Sequence, residues 1–201
     1  MGLFKRAVCF GAMSVLPACG GAALEGGSDA VLAAQESALA TATSRGCSFE
    51  VTAAVVTPPP APAVYNLTLH RLASSTCAWP AASLALPSSY GSSAPSVLVA
   101  ANELGVAVGY AVKGSSSGGP YRTLGFSHVD PESMAIVRNA GLLSSNTVSL
   151  TSVAIDLDGT TLKSYGIKSG TIAGETGSGG EFVVSFPDFF TSTTPGTVVA
   201  F

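Results

Sequence analysis

Charge is scarce in this chain. Asp, Glu, Lys and Arg make up 10 % of its 201 residues, against about a quarter in an ordinary globular domain. The nine basic residues never cluster. That removes the cationic footprint through which proteins hold nucleic acid or anionic membrane surfaces. Long apolar runs are missing too. Residues 7–16 are too few to span a bilayer as a helix, and the run at 97–101 is broken by Asn102 and Glu103. After residue 45 no long amphipathic helix appears, which argues against βαβ units. No internal repeat is evident, so a propeller with regular blades is only a minor alternative. Histidine is limited to His70 and His128, and tryptophan to Trp79.

The start of the chain has the three parts of an export signal. Lys5 and Arg6 give a basic opening, residues 7–16 an uncharged apolar run, and small residues follow. Leu16-Pro17-Ala18-Cys19 then resembles the lipobox of bacterial lipoproteins, a branched apolar residue and two small residues before a Cys. The resemblance implies cleavage before Cys19, a diacylglyceryl thioether on its sulfur and acylation of its new amino group. Pro17 stands where that family usually has Ala or Ser. Two or more acyl chains hold a protein firmly where one does not. Gly20 after the Cys resembles the outer-membrane rather than the inner-membrane sorting class. An ordinary secretory cut near Ala22 or Ala23 is the alternative. Loss of Lys5 and Arg6 with the signal takes the formal charge from −3 to −5.

About 180 residues would remain, enough for one domain with a real core. Of the four cysteines, Cys9 leaves with the signal and Cys19 is the anchor. Cys47 and Cys77 are an even pair in an oxidising compartment, so a disulfide is expected. A two-Cys metal site is the competing reading. Only His70 and His128 could complete it, and no close Cys spacing supports it.

Residues 1–18 are read as the signal, 19–45 as a tether with a short Ala-rich helix or linker, and 46–201 as one β domain. Leu32 and Leu39 lie one heptad apart, and Ser28 or Asp29 is placed to cap a helix. From Cys47 the period becomes two. Phe49, Val51, Ala53 and Val55 alternate with polar neighbours, and Tyr65, Leu67 and Leu69 resume after the prolines at 58–60. Trp79 is expected to plug the core. Further runs lie at 81–86, 96–101, 106–112, 121–129, 134–139, 148–157, 160–167, 181–186 and 197–201. Turn-forming Gly, Asn, Asp and Pro separate them, and Asp158-Gly159 is the clearest hairpin signal. Many short, evenly spaced strands predict an all-β antiparallel sandwich, Greek-key or jelly-roll-like.

Two motifs suggest catalysis. Val153-Ala154-Ile155-Asp156-Leu157-Asp158-Gly159-Thr160 resembles the first motif of haloacid-dehalogenase-type phosphatases. That resemblance implies Asp156 as nucleophile, Asp158 as acid/base and a magnesium ion between carboxylates and phosphate. The family carries the motif early in a Rossmann-like α/β domain, with a Lys and an acidic pair well downstream. Here only residues 161–201 follow, Lys163 and Lys168 come too soon, and no acidic pair appears. The same two aspartates are too sparse for a calcium loop. Gly114-Ser115-Ser116-Ser117-Gly118 fits the G-x-S-x-G pattern of serine hydrolases. A strand, not a helix, follows it, and His128 precedes Asp130, the wrong order for that fold. His128 and Asp130 also form a candidate acid/base pair. Phe189-Phe190 reads as core.

The expectation is a lipid-anchored cell-envelope protein of the outer membrane, facing the periplasm or the cell surface. Its β domain is read as a non-catalytic binding, adhesive or structural module, with no cofactor, no metal and no nucleic acid. The lipid anchor makes the membrane a partner, and a further protein or glycan partner is unnamed. The loops at 58–60, 114–119 and 174–180 are its candidate binding surfaces. The alternatives are an envelope hydrolase built on residues 156–160 and a small outer-membrane β-barrel, suggested by terminal Phe201 after Val199.

Overall fold

Period-two alternation becomes strand throughout. A computed structural model describes residues 39–57, 63–91, 94–113, 122–143 and 149–201. The signal, Cys19, the tether before Leu39, the proline loop and the Ser/Gly patch at 114–119 lie outside these residues. Thirteen strands and no helix are present among the described residues: β1 (Leu39–Ser44), β2 (Cys47–Thr57), β3 (Ala63–Arg71), β4 (Ala82–Gly91), β5 (Val97–Asn102), β6 (Gly105–Lys113), β7 (Arg122–Val129), β8 (Ile136–Leu143), β9 (Ser149–Asp158), β10 (Thr161–Ser169), β11 (Glu175–Gly177), β12 (Glu181–Phe186) and β13 (Thr197–Ala200).

The strands form three open sheets. Sheet 1 is the meander β1-β2-β3-β4, sheet 2 the meander β5-β6-β7-β8, and sheet 3 has the order β11-β13-β12-β10-β9. The all-β antiparallel sandwich stands, with three refinements. The neighbours in sheets 1 and 2 are neighbours in sequence, so these sheets are built from hairpins rather than Greek-key or jelly-roll crossings. One pair, β11 with β13, is parallel. Among the described residues no sheet closes on itself, which corrects the small-barrel alternative.

The inner strands of sheet 2, β6 and β7, are buried on both faces. Residues 105–110 of β6 and 124–129 of β7 are all buried. Successive side chains point to opposite faces, so each strand serves two cores. Val106, Val108, Tyr110 and Val129 pack with Phe49, Val51, Leu67 and Leu69 of sheet 1. Ala107, Leu124 and Phe126 pack with Leu162, Phe182, Val184, Phe186 and Val198 of sheet 3. The result is a sandwich of three layers. Gly125 is required where the Tyr110 ring crosses the sheet surface, since a Cβ there would sit 2.5 Å from ring carbon Cε2.

Turn chemistry fixes the registers. Arg45 and Gly46 both have positive φ, 47° and 76°, as a type I′ two-residue hairpin needs. Gly159 (φ 63°) and Thr160 close β9 onto β10, with Asp158 paired to Thr161. Positive φ at the first loop position only is the type II′ signature. The hairpin tips then tie the layers in series. Ser44 Oγ donates to Asn102 O at 2.6 Å, Arg45 Nε to Glu103 O at 2.8 Å, and Asn102 Nδ2 to Gly159 O at 3.3 Å.

Two arginines tie the layers elsewhere through backbone oxygens. Buried Arg71 of β3 donates Nε to Pro80 O at 2.8 Å and Nη1 to Pro131 O and Glu132 O at 2.6 and 2.7 Å. It also lies 5.8 Å from the ring centre of half-buried Trp79. Arg138 of β8 donates to the carbonyls of Phe189 (3.1 Å), Ser192 and Thr194 (2.9 Å). Charge-assisted bonds of this kind contribute about 1.5–3 kcal/mol each.

The expected Cys47–Cys77 disulfide is formed, with the Cα atoms 4.4 Å apart. It closes the start of β2 onto the β3–β4 connection, whose Pro80 carbonyl meets Arg71. The chain enters the sheets ahead of residue 46. Leu39–Ser44, read from sequence as tether, is β1, paired with residues 47–52. Replacing both Cys47 and Cys77 by Ala should cost about 3–4 kcal/mol on the chain-entropy scale for this loop. Urea denaturation followed by Trp79 fluorescence measures it, and an unchanged midpoint would refute the stapling role.

Candidate functional site

The residues singled out from sequence do not converge. Asp156 is exposed on β9, and its Oδ1 accepts the Leu157 amide at 2.8 Å. Asp158 is paired with Lys163 Nζ at 2.6 Å, and that ion pair holds its carboxyl below the usual range. Both sit where an antiparallel edge strand enters a hairpin, not in the Rossmann-like setting implied by the phosphatase resemblance. His128 is buried between sheets 2 and 3. Asp130 instead organises the β7–β8 turn, accepting Ser133 N at 2.7 Å and Ser133 Oγ at 2.8 Å. These two residues are not hydrogen-bonded to each other. His70 lies far in the fold from His128, on the outer face of sheet 1. Phe189 and Phe190 are buried, as read. Residues 174–180 are a built edge rather than a free loop: Glu175–Gly177 is β11, and Gly179 backs directly onto the Phe201 carbonyl.

The polarity of β10 is inverted. Leu162 points inward as usual, but the next inward positions are Ser164 and Lys168, which are buried, while Tyr165 and Ile167 are 45 % and 49 % exposed. The buried polar groups are satisfied. Ser164 Oγ donates to Ala154 O at 3.1 Å. Lys168 Nζ donates to Gly170 O at 2.9 Å and pairs with Glu175 Oε1 at 3.1 Å, with both side chains almost fully covered. Glu175 Oε2 also accepts the Ile172 amide at 2.8 Å. A buried charge pair is tolerated only with this degree of satisfaction. The bulge opposite Gly166, between Tyr165 and Ile167, lies in the same stretch.

The outward result is an apolar face. Ala154, Tyr165, Val183 and Val199 lie side by side across β9, β10, β12 and β13. The next row sets Ile167 beside Glu181, and Glu181 exchanges two backbone hydrogen bonds with Phe201, 63 % exposed. Tyr165, Ile167, Val183 and Phe201 rim a hollow of about 330 Å³ with the Glu181 carboxylate at its border. The row on the other side, Asp156, Lys163, Ser185 and Thr197, is polar. Contiguous exposed apolar surface rimmed by polar groups is what interaction sites present. Reading from sequence placed binding on loops and missed this face. The signal was present in Lys163-Ser164-Tyr165-Gly166-Ile167-Lys168, where one face of the strand must carry the apolar pair and the other Ser and Lys.

Sheet 1 carries a polar counterpart. Glu50, His70 and Ser83 are in cross-strand register on its outer face, beside a shallow hollow of about 450 Å³. His70 Nδ1 is 2.8 Å from Ser83 Oγ, and Nε2 is 3.1 Å from Thr52 Oγ1. Both ring nitrogens are thus occupied by hydroxyls. Among the described residues no three His, Cys, Asp or Glu side chains converge as a metal site would require.

No family model, curated protein or solved structure matches the chain.

The inverted register depends on Glu175 staying ionised. The Ile172 amide first, then the Lys168 ammonium, hold its pKa below the ordinary 4.5. A depressed carboxyl contributes stability that is complete above 4.5 and is lost as pH falls through the folded value. Glu175→Gln should therefore lower the melting temperature at pH 7 and flatten its decline below pH 4.5. Melting temperature measured from pH 7 to pH 3 checks this. Equal slopes in both proteins would mean that the pair does not act as described.

Proposed function

We propose that the chain is an exported, lipid-anchored protein of the bacterial outer membrane whose β domain is a non-catalytic binding module. Its ligand-binding surface is the outer face of β10, β12 and β13. The inverted polarity of β10 carries this reading. Placing Lys168 and Ser164 in the interior and Tyr165 and Ile167 in solvent is the costlier arrangement unless the exposed face is used. Local sequence rules are broken mainly at functional sites. The lipobox-like Leu16-Pro17-Ala18-Cys19 supports the anchor, and the Cys47–Cys77 disulfide fits an oxidising compartment outside the cytoplasm.

Two measurements test the reading. The intact mass of the protein from bacterial membranes should correspond to a chain beginning at Cys19 with acyl groups, and should rise by about 2 Da on reduction. A mass retaining Met1 would overturn the export reading. The exported protein in detergent should then sediment with isolated cell-envelope fragments and sacculi. Tyr165→Ser with Ile167→Ser should reduce that binding about tenfold or more while leaving the melting temperature within a few degrees, as surface changes do. Undiminished binding by the double variant would remove the face as the site.

A further inference from the structure

The connection from β12 to β13 is held onto sheet 2 by one side chain and closed over another. Residues 187–194 have their Phe189, Ser192 and Thr194 carbonyls gathered by Arg138, whose guanidinium also lies 5.3 Å from the Phe189 ring centre. At its near end Phe189 N donates to Thr160 O at 3.0 Å, and Asp188 Oδ1 accepts Thr160 Oγ1 at 2.7 Å. Beneath it lies buried His128. Its ring is edge-on to Phe190 at 5.0 Å and tilted to Phe189 at 6.3 Å. Gly105 closes the other side, where a Cβ would come within 2.6 Å of His128 Nε2. Among the described residues neither imidazole nitrogen has a hydrogen-bond partner.

His128 and Arg138 are directly opposite in the β7–β8 ladder. A proton on His128 would set two cations side by side, which destabilises a cross-strand pair, on a buried ring packed against Phe189 and Phe190 where a charge is poorly hydrated. The acidic groups around it are committed elsewhere: Asp130 to Ser133, Asp188 to Thr160. Arg45, bound to Glu103 O, adds positive charge near Asp130.

We propose that residues 187–194 are an acid-released strap, docked while His128 is neutral and let go when His128 takes up a proton. Release would lift Phe189 off the Phe186 ring and uncover Phe126 and Phe186, which stack edge-to-face beneath the strap. It would give an envelope protein an apolar surface that appears only in acid. Burial first, and Arg138 after it, hold the His128 pKa below the ordinary 6.5, with Asp130 acting in the opposite direction. A lowered histidine pKa makes docking complete above 6.5 and progressively lost as pH falls below it.

The test uses an apolar dye, anilinonaphthalene sulfonate, with the full chain between pH 7.5 and pH 5. Trp79, the only tryptophan, lies at the sheet 1–sheet 2 interface and reports on the rest of the fold. Dye emission should rise severalfold in acid while Trp79 emission stays constant. His128→Leu should abolish the rise, and His128→Gln serves the same purpose if the leucine variant does not fold. Arg138→Gln should give high dye emission already at pH 7.5. An acid rise that persists in the neutral variants, a wild-type protein that stays dark at pH 5, or a Trp79 change that tracks the dye would each overturn the strap.

Discussion

The two inner strands of sheet 2 have no solvent face, and each must supply two cores at once. In a two-layer sandwich an inner strand alternates apolar and polar. Here Val106-Ala107-Val108-Gly109-Tyr110 alternates large and small instead, with large residues toward sheet 1 and small ones toward sheet 3. β7 does the reverse, sending Leu124 and Phe126 to sheet 3 and only Val129 to sheet 1. The alternation of volume lets three layers stack with good contact on both sides. Sheets 1 and 3 in turn are free to turn their other faces outward, and those faces carry the two surface hollows.

Thin layers of small residues give modest cores, and other bonds supplement them. Arg71 and Arg138 each cross one interlayer boundary and end on three carbonyl oxygens. A cation satisfied by carbonyls rather than by a carboxylate, buried in Arg71 and half-buried in Arg138, suits a chain with so few charges. It also concentrates much of each boundary's polar contact on one residue, beside the hairpin-tip bonds. The disulfide braces the sheet 1 side of the first boundary, where the Pro80 connection meets Arg71. The second has no such covalent support, and it is there that the buried histidine lies.

Much of this was legible in the amino-acid pattern. The runs from Cys47 to Phe201 became strands because period-two alternation, punctuated by Gly, Asn, Asp and Pro, leaves little choice of structure. The disulfide followed from cysteine parity and the expectation of export. Leu39-Ala40-Thr41-Ala42-Thr43-Ser44 was misread as tether because its apolar residues are mostly alanine. It is a strand because the Arg45-Gly46 turn folds it back on β2. The third layer was hidden for another reason: a strand buried on both faces differs from one buried on one face only in lacking polar positions, and burial on both sides is a long-range property. The candidate site on sheet 3 was obscured because inward-pointing Lys168 makes sense only once Glu175, on another strand, is brought beside it.

The same long-range logic links fold and proposed function. Lys168 and Glu175 hold β10 in the register that exposes Tyr165 and Ile167, while the sheet behind them is anchored to sheet 2 by Phe126 against Phe186. The most direct measurement of this arrangement is amide hydrogen exchange across the whole chain at neutral pH. Double burial predicts that β6 and β7 exchange most slowly, with protection approaching that of global unfolding, and that β4 and β9 at the sheet edges exchange faster. Exchange of β6 and β7 at the rate of those edge strands would contradict the three-layer arrangement.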